Sequence, residues 1–322
     1  MSQHEKIQGS KPQTVQVVRQ GELTPYIFYL GSLYFGDKWI VSGGVRLDYY
    51  DQYVGRANKA DVFKANTDNQ GWSLTPQLGV TYRITPQWSL YGSYSSSFRP
   101  QVSIANSIPG GAKPEKGRSF EIGAKFAGRQ LSASLAAFHI LKRNVRYVVD
   151  TGGSTEDRFA GRARSMGFEA ELGGQITDKL GINANYAYTE TKALEAEAQT
   201  KGLPLNNTPR NQFGVYLTYD FGQALGGRWR AGLGAKYNGA WYIGRNVSSG
   251  QRLWKIPSAT VADAFVSYDA KFGNGQKLNL RLNGKNLTNR RYYTSTVGSS
   301  TQYPMIALGN PREISFSLRY DF

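Results

Sequence analysis

Few side chains in this sequence are equipped for covalent or proton chemistry. The chain has no cysteine, and His4 and His139 are its only histidines. Thiol nucleophiles, thiolate metal sites and disulfides are therefore excluded, and a multi-histidine metal centre or a His-based triad lacks its parts. Glu169 and Glu171 stand two apart on one face of an extended segment and could be read as a paired acid and base; they read better as charges facing a wet interior and pairing with Arg on neighbouring strands. His139 reads as structural or as facing a wet interior. The stretch GAKPEKG (111–117) has the glycines of a phosphate loop but not its G-x-x-x-x-G-K-[ST] order, and a strand follows it. Nothing here predicts an enzyme, a bound metal or a resident cofactor. A second set of residues is suited to binding: Phe98, Arg99, Trp241, Tyr242, Arg245, Trp254 and Tyr303. Their rings can stack on flat groups, and their guanidiniums can give charge-assisted hydrogen bonds to an anion.

These residues must be held by something, and the pattern around them has period two. In residues 74–84, Leu74, Leu78, Val80, Tyr82 and Ile84 alternate with Thr75, Gln77, Gly79, Thr81 and Arg83. Residues 213–221 and 278–283 alternate in the same way, and so does the run Ile314, Phe316, Leu318, Tyr320, Phe322. Strict alternation means strands with one apolar and one polar face. Thirteen such segments are expected, near 24–35, 39–53, 71–84, 88–99, 118–127, 131–148, 163–175, 180–191, 209–221, 228–241, 256–270, 277–288 and 311–322. The segments at 131–148 and 256–270 break phase midway, as a bulge would. Composition agrees with an all-β chain, with 37 Gly, 21 Tyr and an aromatic share of 13%.

Connections alternate between short turns and long loops, the latter at 54–70, 100–117, 149–162, 192–208, 242–255 and 289–310. Strands of about 10 residues, tight turns at one end and long loops at the other predict an antiparallel up-and-down transmembrane β-barrel. Trp39, Trp88 and Trp229 each open a strand after a short turn, and Tyr49, Tyr50, Phe98, Trp241 and Tyr242 mark the opposite ends. Such rings form the two girdles of a lipid-facing surface. The polar faces carry Arg46, Asp48, Glu121, Lys125 and Lys236, charges that a wet lumen tolerates and a sandwich core does not.

The chain resembles the C-terminal part of TonB-dependent outer-membrane receptors, most closely the siderophore receptors. The resemblance covers nearly all of 24–322. It is carried by FGDKWIVSGGVRLDYYD (35–51), YGSYSSSFRPQ (91–101), KPEKGRSFEIGAKF (113–126), MGFEAELGGQITDKLGINANYAYTETK (166–192), LPLNNTPRNQF (203–213), NGKNLTNRRYY (283–293) and GNPREISFSLRYDF (309–322) in that order. It implies that the thirteen strands are the last thirteen of a 22-stranded barrel with a plugged lumen. Residues 1–23 would be the tail of an extracellular loop and 24–322 the barrel wall. No export signal, TonB box, plug domain or first nine strands can be read, so the sequence is expected to be a fragment of such a barrel. The first strand departs from the family at Leu30 and Gly31, where a polar Gln–Asp pair is usual. Phe316, Leu318, Tyr320 and Phe322 resemble the signal that these barrels present to the barrel assembly machinery.

The resemblance also implies a function and a location, the bacterial outer membrane. The parent protein would bind a ferric siderophore at its extracellular mouth and be energised by the TonB system through the plug. Iron would be carried as a siderophore chelate. The net charge of +16 suits an anionic ligand, and the loops 242–255 and 289–310 hold Arg245, Arg252, Lys255, Arg290 and Arg291 with no acid. Basic loops also attract the phosphates of outer-membrane lipid and lipopolysaccharide. Nucleic acid is not an expected partner, because the basic residues are spread through strands. The alternative is a passive porin-like pore of about fourteen strands, using part of residues 11–19 as the extra edge strand.

Overall fold

The computed structural model describes residues 16–20, 24–57, 63–150, 155–196, 198, 200–247, 250–273, 275–299 and 304–322. Eighteen strands and no helix are found among them. The wall begins with β1 (Gln16–Gln20), β2 (Thr24–Phe35), β3 (Trp39–Ala57), β4 (Phe63–Arg83), β5 (Trp88–Arg99) and β6 (Glu115–Ala127). It continues through β7 (Leu131–Asp150), β8 (Thr155–Gln175), β9 (Leu180–Glu195), β10 (Asn211–Ala224) and β11 (Gly227–Asn238). Two small hairpins interrupt its end: β12 (Trp241–Val247) with β13 (Gly250–Ile256), and β16 (Tyr293–Ser299) with β17 (Pro304–Leu308). Between and after them come β14 (Ala259–Lys271), β15 (Lys277–Lys285) and β18 (Glu313–Asp321).

All thirteen expected strands are present, each hydrogen-bonded antiparallel to its neighbours in chain order. The wall is a transmembrane β-barrel sheet that ends at β2 on one side and β18 on the other; among the described residues no pairing joins those two edges. β1 adds no further wall strand. Its residues pair with Gln52–Arg56 of β3 while β2 pairs with Trp39–Tyr49, so the two lie end to end along one side of β3. Leu30 is passed over in the pairing, since Tyr29 faces Gly44 and Gly31 faces Gly43. The departure from the family pattern there coincides with a bulge.

Two expectations need correction, and one about bulges holds. The loops 242–255 and 289–310 are not irregular but contain the two hairpins. The phase break in 131–148 is a bulge, with register shifts at Arg143–Val145–Arg146. The break in 256–270 is not: β14 runs in unbroken register from Ala259, and Ile256 belongs to β13. Pro257, which has no N–H to donate, separates the two.

Cross-strand pairing sorts side chains to two faces. Leu74, Leu78, Leu90, Ile122, Leu135 and Phe168 are exposed on the outer face, as a surface in contact with hydrocarbon requires. Ring pairs mark the short-turn end: Trp39–Tyr82 at 4.6 Å, Trp88–Phe126 at 4.9 Å and Trp229–Tyr268 at 4.9 Å between centroids. Tyr49–Trp72 and Tyr94–Phe120, both at 5.0 Å, mark the other. His139 is on the outer face opposite Phe120 and Met166, not in the lumen. Glu169 and Glu171 are on the inner face beside Ala136, Ala187, Ser134 and Asn185. The expected pairing with Arg on neighbouring strands is therefore not found: no Lys or Arg stands at those positions. Ser134 Oγ donates to Glu171 Oε2 at 3.4 Å.

Candidate functional site

Strand height shapes the long-loop end. β3 with β4 and β7 with β8 form tall hairpins, whereas β5 and β6 stop at Arg99 and Glu115. Residues 100–114 fill the gap and are pinned to both hairpins. On one side, Thr67 Oγ1 donates to the Ser103 carbonyl at 2.7 Å and accepts from the Ser103 N–H at 2.9 Å. Asn66 Nδ2 donates to the Ala105 carbonyl at 3.1 Å, and Asn69 Nδ2 to that of Ala112. On the other side, Ser103 Oγ donates to Asp157 Oδ2, and Arg146 grips the same carboxylate through Nε and Nη2, both at 2.8 Å. Gln101 Nε2 donates to the carbonyls of Lys113 and Asn144 at 2.8 and 2.6 Å. Asp157 is only 3% exposed, and a buried carboxylate must be paired in this way. Val54 of one tall hairpin and Phe159 of the other are also buried.

Phe98 and Arg99 are at the foot of this bridge. The Phe98 ring is half-buried, 5.2 Å from that of Tyr50. Arg99 Nη2 is 3.2 Å from Glu115 Oε2, while Lys142 Nζ holds the other oxygen at 3.1 Å. The Arg99 guanidinium is mostly exposed and remains able to meet a ligand.

The other named residues gather at a second place. Trp241, Tyr242 and Arg245 are on β12, and Trp254 is opposite Ile243 on β13. Trp241 is 3% exposed and forms a small apolar core with Ile243 and Ile256, against which Trp254 and Ile306 pack. Its ring binds the two hairpins together and offers little surface to a ligand. Tyr242, half-buried and opposite Lys255, is better placed. Arg245 faces Arg252 in the backbone register. Tyr303 lies outside the described residues. β6 to β10 separate β5 from β11 in the sheet, so the seven residues form two groups.

Sequence reading missed the bridge. Asn66, Thr67, Asn69, Gln101, Ser103 and Asp157 are ordinary loop residues by type. The one available signal is that Thr67 and Asn69 continue the inward period of Ser73 and Thr75 beyond the membrane.

With this geometry in view, comparison with known proteins is informative. The family described as TonB dependent receptor-like, beta-barrel, matches residues 6–287. The chain belongs to this family. It is therefore an outer-membrane β-barrel of a receptor family whose members are transport receptors, not enzymes. An uncharacterized TonB-dependent receptor of Haemophilus influenzae is 37% identical over 92% of this chain and 86% of its own length. The metal-pseudopaline receptor of Pseudomonas aeruginosa is 30% identical over 89% of this chain but only 39% of its own length. Among solved structures, the siderophore receptor PiuA of Acinetobacter baumannii superposes with a TM-score of 0.71 at 25% identity, over 87% of this chain and 40% of that one. The ferric preacinetobactin receptor of the same species gives 0.74 at 20% identity, covering 92% and 42%, a likeness of fold. This receptor-barrel chain thus spans most of the Haemophilus relative and about two fifths of the others.

Proposed function

We propose that the chain forms the greater part of the wall and rim of a ferric-siderophore uptake receptor. The observation that carries this reading is its 30% identity with a metal-pseudopaline receptor over 89% of the chain, and with a ferric-pyoverdine receptor over 77%. The rim supports it: Arg99 and Tyr242 place a cation and a ring where a flat, anionic chelate would arrive. The iron comes as part of the chelate and needs no ligand from the protein. Energy for release into the periplasm comes from the TonB system through a plug domain. β2 and β18 carry unpaired edges that cannot face hydrocarbon, so further strands of the family's 22-stranded barrel complete the wall, whichever chain supplies them. Phe316, Leu318 and Tyr320 on the outer face of β18, with Phe322 directly after it, present the sorting signal to the barrel assembly machinery. Residues 1–23 then belong to the extracellular side and 24–322 to the wall.

The test is uptake of radiolabelled iron, presented as catecholate, hydroxamate and carboxylate chelates, by iron-starved cells expressing the gene in its native context. Uptake of one chelate class is expected, abolished by deleting tonB and reduced about tenfold in Arg99→Ala/Tyr242→Ala cells. Uptake indifferent to TonB, with leakage of unrelated small solutes, would show a passive pore instead.

A further inference from the structure

The turn between β10 and β11 goes against both backbone and surface chemistry at one residue. Ala224 pairs with Gly227, so Leu225 and Gly226 form a two-residue hairpin turn. Both have positive φ, +54° at Leu225 and +80° at Gly226, the geometry for which Asn-Gly is the usual sequence. The other non-glycine positions with positive φ among the described residues are all asparagines: Asn144, Asn207, Asn286 and Asn289. Leucine is strained there by the clash of its Cβ with the backbone, and it has no polar side chain to compensate. Leu225 is also 86% exposed. Four other short turns carry Asp37 and Lys38, Gln87, Arg129, or Asp178 and Lys179. A strained, exposed leucine where a polar residue fits better points to a compensating contact outside the chain.

The direction of the turn identifies that contact. Trp229 Nε1 donates to the Ala224 carbonyl at 3.1 Å, and the Tyr268 hydroxyl donates to the Leu225 carbonyl at 2.8 Å. These two rings are a girdle pair of the outer face. The Tyr268 ring covers Gly227 and leaves no room for a Cβ there. Two girdle side chains thus draw the turn toward the lipid side of the wall. Just before the turn, Phe221 is passed over in the pairing between Asp220 and Gly222. Its ring is more than half exposed and edge-on to that of Tyr219 at 4.8 Å. The polar partners stay on the opposite side, where Asp220 accepts from the Gly222 N–H at 2.8 Å and pairs with Arg228. Tyr219, Phe221 and Leu225 therefore continue the apolar outer surface past the girdle. Hydrocarbon already covers that surface up to the rings, and continuity makes it the occupant beyond them.

We propose that the β10–β11 turn is an interfacial membrane anchor. Leu225 enters the phospholipid leaflet at the short-turn end, and the indole and phenol donors hold the backbone that points it there. Its partner is the acyl chain, not headgroup charge, and the anchor is independent of the rim and of the ligand carried.

The absence of cysteine lets single labels be placed. Leu225→Cys, Asp37→Cys and Asp178→Cys, each in the full chain extracted from outer membranes, are coupled to a fluorophore. They are then reconstituted in phosphatidylethanolamine–phosphatidylglycerol bilayers with brominated acyl chains. The label at 225 should be quenched severalfold more than those at 37 and 178, at a depth of about 5–10 Å inside the headgroup boundary, and be shielded from aqueous iodide. Trp229→Phe/Tyr268→Phe keeps both rings and loses both donors; it should bring quenching at 225 down to the level of the other turns. Equal quenching by brominated lipid at all three positions overturns the proposal, with both donors still in place. So does a label at 225 shielded from lipid and iodide alike, which would put the turn against protein. Quenching at 225 that survives loss of both donors overturns the bracing role assigned to Trp229 and Tyr268.

Discussion

The long-loop end of the barrel is built by two different means within one molecule. The 100–114 bridge is held by directed polar contacts: Thr67, Asn66 and Asn69 on one tall hairpin, and Asp157 with Arg146 on the other. The paired hairpins β12–β13 and β16–β17 are held by a small apolar cluster around Trp241. Hydrogen bonds fix a geometry and fail when one partner is changed in kind; apolar contacts fix a volume and tolerate a change of shape. The bridge is thus suited to keeping two hairpins at a set separation, and the hairpin pair to adjusting around an incoming ligand.

Substitutions can break this contrast. Trp241→Ala should have the largest effect, about 3 kcal/mol of local stability, because it removes the centre of the cluster. Amide exchange in β12, β13 and β17 should accelerate accordingly, with 100–114 unchanged. Asp157→Ala should cost about 2–3 kcal/mol, less than a fully buried pair because Arg146 is half exposed. It should show as new protease cleavage within 100–114. The sharper measurement is the conservative pair: Trp241→Phe is expected to cost about 1 kcal/mol, whereas Asp157→Asn should retain little of the bridge, since an amide cannot accept the bidentate arginine. Comparable losses in those two variants would erase the distinction.

The same contrast explains what could be read from the sequence. The wall was legible because each strand needs an apolar face toward lipid, and that requirement writes itself as alternation: Leu74, Leu78, Val80 in one strand, Phe316, Leu318, Tyr320 in another. The small hairpins were not, because β12 and β13 stand clear of hydrocarbon and GRNV and GQRL have no such pattern. The bridge was invisible because its contacts join residues 36 to 54 positions apart and end largely on backbone carbonyls, which any sequence supplies. For the rim, residue type identified rings and cations but not their direction. Trp241 and Tyr242 are neighbours in the chain, yet one is sealed in a core and the other is only half covered.

From β4 to β10, every strand of the wall bonds only to strands adjacent to it in the chain. The circumference is therefore an additive property. Excising a hairpin such as β9–β10 would shorten the arc by about 10 Å, two inter-strand spacings, while β8 and β11 keep their remaining partners. Pore diameter in this architecture can change by duplication or loss of hairpins without any strand acquiring a new register elsewhere.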